Sequence, residues 1–534
     1  SPFSNDRLPG QVRFDGSDQA QALTGLRFRG SSSRVLPKKS FNIRFESSQP
    51  LLFGSDRMNL NAMYTDPTMV REAISFELFH ALGQPASRTR HFDLWINGIY
   101  EGTHLHIQRV DETLLAQNGL NPDGTLVRDQ LRDSNPDTPR STFAFDFSSI
   151  PEDEREDFLA DTFDFRGDPD WSELLALIEW VQATPPGAQF LAGFQERFDA
   201  DNFIDWLVLH WLIGDIDSFG DDYWLYLDHE ADQARWMVIP WDKDLSFGSH
   251  FRDGFFTTNN FFVYEYPLRG GWDNELIAKF LATPELRAAA DERLVELMRD
   301  HFPPSWFAAR IDQLIEGLED SINIQPGPEA FSLHEANQFS DPDLFGDQVE
   351  ALNDFIALRY RFIERQLDDS EAPLDRAAGE IPAMGTEPVA LVDGSGFTLA
   401  VFEPLSPLAQ PLDLDLSVAE NPDLVGINHE WTLEVAGIES APVNVSLFYR
   451  NEVSSFWGRG NWWTRGDEAV GEQRRLVMMF GRDGDTPQPL LPTRVNPISN
   501  KATAQLELTP GSHLIQLRLL PTLSASMPPT APHQ

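Results

Sequence analysis

The stretch Ile213–Gly248, IGDIDSFGDDYWLYLDHEADQARWMVIPWDKDLSFG, sets two acidic clusters at the ends of two short runs of strand-forming residues. Tyr223 to Leu227 and Arg235 to Ile239 are the runs, and the polar segment Asp228 to Ala234 between them has hairpin size. In an antiparallel pair the start of the first strand lies beside the end of the second, roughly 5 Å away. The pairing therefore predicts that Asp217, Asp221 and Asp222 face Asp242 and Asp244. Converging carboxylates repel unless a cation sits among them, and a hard divalent ion completed by water or phosphate oxygens suits such a set.

The spacing narrows the chemistry. Protein kinases carry a catalytic-base Asp, a metal-binding Asn five residues later, a short hairpin and then a second metal-binding Asp. Here Asp217, Asp222 and Asp242 follow that order, with Asp in place of the Asn. The substitution keeps an oxygen ligand and adds a negative charge, which favours the metal and disfavours phosphate. The plainer alternative is a solvated acidic turn.

Composition bounds the partners. Forty-one basic residues against 84 acidic ones give a net charge of −43, which repels nucleic acid and anionic membranes. Lysine occurs only at Lys38, Lys39, Lys243, Lys279 and Lys501, a balance that fits solubility at high ionic strength. Without cysteine there are neither disulfides nor thiolate metal sites. No run of 18 apolar residues occurs, so no membrane span is expected. A first residue of Ser1 suggests a processed or trimmed start.

Upstream, Ala22 to Phe28 is a predicted strand leading into RGSSSRVLPKKSFNIRFE, Arg29 to Glu46. Lys39, Phe41, Ile43 and Phe45 share one face of an extended run, which turns Lys39 inward and Lys38 outward. An inward ammonium calls for a phosphate or a carboxylate, because an unpaired buried charge costs several kcal/mol. The spacing predicts a helix over Asp66 to Leu82, with Pro67 near its start and Gly83 ending it. Glu72 or Glu77 on that helix could pair with Lys39, as kinases pair a strand Lys with a helix Glu. Phe92 to Ile96 and Gly102 to Gln108 read as strands joined by a turn at Asn97-Gly98. His104 and His106 share a face there; packing is the ordinary use of such a pair, metal binding the alternative.

Taken together, RGSSSRVLPKKSFNIRF, VREAISFELFHALGQPASRTR, FDLWINGIYEGTHLHIQRVDE and WLYLDHEADQARWMVIPWDKDLSFG resemble the spore coat protein CotH kinase family. The similarity runs from about Leu23 to Gly248 and on to about Leu367. It implies an atypical protein-kinase-like fold of α+β class with two lobes. It further implies a secreted or surface location, and transfer of phosphoryl from ATP to Ser or Thr of extracellular proteins with Mg²⁺ or Mn²⁺. The resemblance implies that Lys39 is the phosphate-binding lysine of the catalytic site, Asp217 the base, and Asp222 and Asp242 the metal ligands; Arg34 and Gln108 are further candidate nucleotide contacts, and Asp244 a further candidate metal ligand. Asp222 and Gln108 depart from the residues that relatives commonly carry, Asn and Glu.

The expected organisation is a kinase-like domain over 1–370, with a small lobe at about 20–130, a polar insertion or lid at 121–170 and a helical lobe at 171–370. A Pro/Ala/Gly linker follows at 371–388, then a β-sandwich-like module at 389–520 and a disordered tail at 521–534. Trp457, Trp462 and Trp463 in the module suit core packing, with a carbohydrate contact as the alternative. Two function classes remain open: an extracellular kinase, or a non-catalytic surface, adhesion or assembly protein that contacts protein or carbohydrate through its β module.

Overall fold

The computed structural model describes residues 3–30, 32–46, 52–64, 66–129, 143, 150–167, 170–215, 219–220, 222–248, 274–322, 342–368, 375–394, 396–420, 426–437, 440–449, 475–496 and 499–519. Contacts divide the chain into two units, Ser1–Ile363 and Glu364–Gln534.

The first unit is mixed helix and sheet. Strands β1 (Leu8–Val12), β2 (Gln21–Phe28), β3 (Phe41–Phe45), β4 (Arg57–Asn61), β5 (Thr89–Ile96) and β6 (Ile99–Ile107) form a six-stranded sheet in the order β1-β2-β3-β4-β6-β5. All its neighbours are antiparallel. Phe41, Ile43 and Phe45 alternate along β3 and bury against Leu23, Met58 and Leu60, as a period of two requires. Asn97 and Gly98 both take positive φ, 53° and 83°, in the turn between β5 and β6, the geometry of a two-residue hairpin.

Helix α1 (Arg71–Ala81) begins later than the expected Asp66. Met69 takes a left-handed φ of 59°, which stops the helix from extending backward. Asp66 instead braces the entry: its carboxylate accepts from the backbone N–H of Thr68 (3.0 Å) and Arg71 (2.9 Å) and pairs with the Arg71 guanidinium. Gly83, at φ 73°, ends the helix as its sequence position indicates.

The segment expected as a polar insertion contributes regular structure. After α2 (Glu112–Gln117) come β7 (Thr125–Asp129), α3 (Arg155–Thr162) and β8 (Phe163–Arg166). With β9 (Tyr223–Leu227) and β10 (Met237–Pro240) the strands make a second sheet, β10-β9-β7-β8. Residues 130–142, 144–149 and 168–169 of that segment, with Trp457, Trp462, Trp463 and the tail 521–534, lie outside the described residues.

Helices α4 (Ser172–Ala183) and α5 (Ala188–Arg197) lead to α6 (Ala200–Ile213), which is buried nearly all round. Gly214 caps α6 at φ 56°, and a Cβ there would meet the Phe355 ring at 3.0 Å. Helices α7 (Glu275–Leu281), α8 (Pro284–Glu296), α9 (Pro304–Glu316), α10 (Glu319–Ile322) and α11 (Pro342–Leu367) follow. Two contacts lock α6 in place. Arg293 of α8 donates to Asp205 at 2.7 Å, and the buried Arg359 of α11 donates twice to the Trp211 carbonyl, at 3.0 and 2.6 Å.

The second unit is β-rich. Its strands are β11 (Arg376–Ile381), β12 (Val389–Val392), β13 (Thr398–Pro404), β14 (Leu412–Glu420), β15 (Gly426–Ala436), β16 (Ala441–Phe448), β17 (Leu476–Arg482), β18 (Gln488–Pro489), β19 (Arg494–Asn496), β20 (Lys501–Leu508) and β21 (Gly511–Leu519). They form two antiparallel sheets, β11-β14-β15-β21-β17-β18 and β12-β13-β16-β20-β19. Strand β11 falls within the expected linker. Its Ala/Gly-rich sequence has little β-propensity, and pairing with β14 holds it: Arg376 forks onto Asp415 at 3.0 and 2.5 Å, and Gly379 leaves room for Leu391, whose side chain would stand 2.6 Å from a Cβ. No helix among the described residues is long and apolar enough to cross a membrane.

Candidate active site

Helix α6 delivers the chain to Asp215, and the β9–β10 hairpin returns it to the loop Trp241–Gly248 beside that point. Tyr223 pairs with Pro240, and the Trp241 N–H donates to the Asp222 carbonyl at 3.1 Å, which closes the hairpin mouth. Farther along the loop the Phe247 N–H donates to the Ile213 carbonyl at 2.6 Å. The loop is thus tied at one end to β9 and at the other to α6.

Its interior is tied as firmly. The Lys243 ammonium donates to Asp215 Oδ2 at 2.8 Å, and neither side chain is exposed. Ser246 donates to the Lys243 carbonyl at 2.9 Å and shares a 3.0 Å hydrogen bond with Ser75 of α1. His210 Nε2 lies 4.0 Å from Asp215 Oδ2. Burial, and then the Lys243 charge, holds that imidazole well below its ordinary value, so Lys243 is the cation facing Asp215. Within this frame Asp242 takes a left-handed φ of 48°, a conformation that costs a non-glycine residue about 1 kcal/mol and persists where the surroundings over-determine it.

The charges of Asp242 and Asp244 act on Glu72 of α1. The Glu72 carboxyl is held well above the usual carboxylate range, first by burial, then by the charges of Asp242 and Asp244. Opposing this, Asn61 Nδ2 donates to Glu72 Oε2 at 2.7 Å, and Arg29 adds a favourable charge. The Lys243 N–H donates to Glu72 Oε1 at 3.4 Å. Arg29, just after β2, donates to the oxygen of the same Asn61 amide. Its guanidinium carbon lies 6.0 Å from the centroid of the Trp241 ring, and that of Arg128 on β7 lies 5.8 Å from it.

The expected site residues separate into two groups. Asp222, Asp242 and Asp244 come to the mouth, but Asp222 stands opposite Trp241, and its carboxylate approaches Arg128 at 4.0 Å. Among the described residues no three acidic or histidine side chains gather to hold a metal. Asp217 and Asp221 lie outside the described residues.

The expected nucleotide contacts are held by local structure instead. The Lys39 ammonium donates to the carbonyls of Arg34 (2.9 Å) and Leu36 (2.5 Å) in its own turn. Arg34 donates to the carbonyls of Gly30 (2.7 Å) and Phe3 (3.1 Å), and to Asn5 Oδ1 (3.0 Å). Gln108 is buried between Arg88 and Gln117. The expected phase of the two lysines is reversed: Lys38 is 4 % exposed and donates to the Thr103 carbonyl. The reason is local. Strand β3 starts at Phe41, and the chain from Leu36 to Lys38 bends, so alternation does not reach back to Lys39. Burial pushes the Lys38 ammonium down to about 7 against the charges of Asp93 and Glu101. Neither candidate glutamate pairs with Lys39: Glu72 is joined to Asn61, and Glu77 to Arg310.

His104 and His106 are packing residues. Both are buried against backbone carbonyls, His104 at Gly102 and Lys39 (both 3.0 Å) and His106 at Asn59 (3.2 Å). Burial takes them down to about 3 and about 4.

Sequence reasoning passed over Arg29, Asn61, Arg128, Asp215 and Lys243. Only Lys243 carried a signal, as a rare lysine between two aspartates.

Comparison with known proteins bears on the first unit. A family model described as CotH kinase protein matches residues 26–363, ending where that unit ends. Inner spore coat protein H of Bacillus subtilis (strain 168) is 24% identical over 363 residues, which cover 66% of this chain and 91% of that protein. Invasin CotH3 of Rhizopus delemar is 25% identical over 257 residues, and invasin CotH2 of the same fungus 24% over 258. The matched spans cover 40% and 41% of those invasins, less than half their length.

Proposed function

Because this chain belongs to the CotH kinase protein family, we propose that its first unit is a kinase-like phosphotransferase that moves the terminal phosphoryl group of ATP to a protein hydroxyl. The observation that carries this reading is the braced loop Trp241–Gly248, which presents Asp242 and Asp244 beside Glu72 and is tied to the elements flanking Asp217 and Asp222. Such bracing is what a preorganised site needs. In this reading the six-stranded sheet with α1 and the helices from α4 onward correspond to the two lobes of a kinase-like fold. The two sheets of the second unit form a sandwich-like module open to protein or carbohydrate contact.

The donors at the mouth suit a hard divalent ion. They are all oxygens, and the negative charge gathered there is enough to raise the Glu72 carboxyl. Asp242 and Asp244 would hold Mg²⁺ or Mn²⁺ together with phosphate and water oxygens, with Asp222 across the mouth as the further candidate ligand, and the bound ion supplies charge neutralisation at the phosphate oxygens. Asp217 accepts the proton of the substrate hydroxyl as that oxygen bonds to the terminal phosphorus. The bond from phosphorus to the bridging oxygen breaks, and ADP leaves. Relatives named as a spore coat protein and as invasins support a surface location, and the acceptor proposed with it is a surface or extracellular Ser/Thr protein.

The test is transfer of label from γ-labelled ATP to protein, by the full chain with Mg²⁺ or Mn²⁺. Label on serine or threonine that disappears in Asp217→Asn supports the assignment; equal labelling by that variant removes Asp217 from the role. A non-catalytic surface or assembly protein is the second reading. Asp222 favours it, by standing where kinases carry Asn and by facing Arg128 at 4.0 Å. It predicts nucleotide binding without transfer.

A further inference from the structure

The same mouth holds two cations to which the sequence pattern gave no role. Arg29 and Arg128 come from β-strand segments 99 positions apart in the chain, yet both guanidiniums lie within 6.0 Å of the Trp241 ring centre. Two like charges drawn to one indole repel, and the repulsion is relieved by an anion placed between them. Asp242, Glu72 and Asp244 favour the Arg29 charge through space, but burial outweighs them and leaves its pKa lowered. Its Nη1 donates to the neutral Asn61 amide, and among the described residues no carboxylate lies within ion-pair distance of it. A guanidinium has five N–H donors in a planar fork, which suits two oxygens of a phosphate.

Asn61 gives this arrangement its direction. Its amide oxygen accepts from Arg29 while its amide nitrogen donates to Glu72, so one side chain aligns the cation with the helix carboxylate. In protein kinases a strand Lys that contacts phosphate is aligned by direct pairing with a helix Glu. Here Lys39 is spent on its own turn, and the strand-end cation linked to the α1 glutamate is Arg29. Acidic and basic groups meet at this mouth: Asp242, Glu72 and Asp244 act on Arg29, and Asp222 lies 4.0 Å from Arg128, a mixture that suits a metal-bound polyphosphate.

We propose that Arg29 and Arg128, gathered at Trp241 with Arg29 oriented by Asn61, are the phosphate-binding cations of this site, taking the polyphosphate of a nucleoside triphosphate. The assignment rests on the phosphotransferase reading and adds to it the residues that hold the ligand.

The experiment is calorimetric titration of the full chain, with Mg²⁺ present, by ATP, tripolyphosphate and adenosine. Wild type is expected to bind ATP and tripolyphosphate. Arg29→Gln and Arg128→Gln should each lose about tenfold or more in affinity for both, with adenosine unchanged and Arg29→Lys recovering part of the loss. Melting temperature without ligand separates loss of contact from loss of fold; should Arg29→Gln fail to fold, Arg128→Gln and Arg29→Lys carry the test. If wild type binds ATP and the variants bind it equally, the assignment is overturned while the phosphotransferase reading stands. If ATP binds but tripolyphosphate does not, and the variants lose adenosine as well, the arginines hold the nucleoside and the assignment is wrong. If wild type binds neither ATP nor tripolyphosphate, the reading of the site and this assignment fall together.

Discussion

Lys243 and Asp215 form an ion pair at 2.8 Å with no exposure of either side chain, and it joins the loop carrying Asp242 to the end of helix α6. A buried pair is costly to break from one side, because the remaining charge has no water to turn to. Lys243→Met should therefore destabilise the first unit by about 3–5 kcal/mol, and Asp215→Asn added to it should recover a large part. Chemical denaturation followed by tryptophan fluorescence measures both. A loss well under 1 kcal/mol in the single variant would mean that the pair is not the strut described.

Glu72 carries a pH signature. Its folded-state value is raised above the ordinary 4.5 by burial and by Asp242 and Asp244. In the interval between the two values the folded protein keeps a proton that the unfolded chain has released, so stability falls as pH rises through that interval. Below the ordinary value both states are protonated and the penalty vanishes. Glu72→Gln keeps an oxygen for Asn61 and cannot ionise. Without metal it should melt above wild type at neutral pH, with the difference closing as pH falls toward 4.5. A melting difference that does not change with pH would show that the carboxyl is not under this strain.

The adjacent lysines make a contrasting pair. Lys39 donates to two carbonyls of its own turn, each bond contributing on the order of 1 kcal/mol. Lys38 is buried beside Asp93 and Glu101. Lys39→Met should cost little stability and leave ATP affinity unchanged, whereas Lys38→Met should be the more destabilising change. Loss of ATP affinity in Lys39→Met, with Arg29→Gln unaffected, would restore Lys39 to the phosphate.

Much of the frame was legible because its signals are local. Asn97-Gly98, Gly214, the alternation in β3 and the run from Phe203 to Ile213 each determine their own element. The site was legible only in part. Asp222 and Asp242 lie near each other through one hairpin, so spacing brought them together, but the register put Trp241, and not Asp242, opposite Asp222. Lys39 was misread because a bend, which has no period, precedes β3. Strand β11 was missed because pairing with β14 overrides its weak propensity. Arg29, Asn61, Glu72 and Arg128 meet Trp241 and Asp242 only through tertiary packing, and no sequence period connects them.

The metal–nucleotide site proposed at the hairpin mouth is built on Asp242. The most direct measurement is calorimetric titration of ATP into the full chain with and without Mg²⁺ or Mn²⁺, for wild type and Asp242→Asn. Asn is the substitution to use because it tolerates the left-handed backbone at φ 48° while removing the charge. Wild type should bind ATP saturably and only with the metal, and the variant should bind it at least about tenfold more weakly. Binding that ignores the metal, or that is equal in the two proteins, would contradict it.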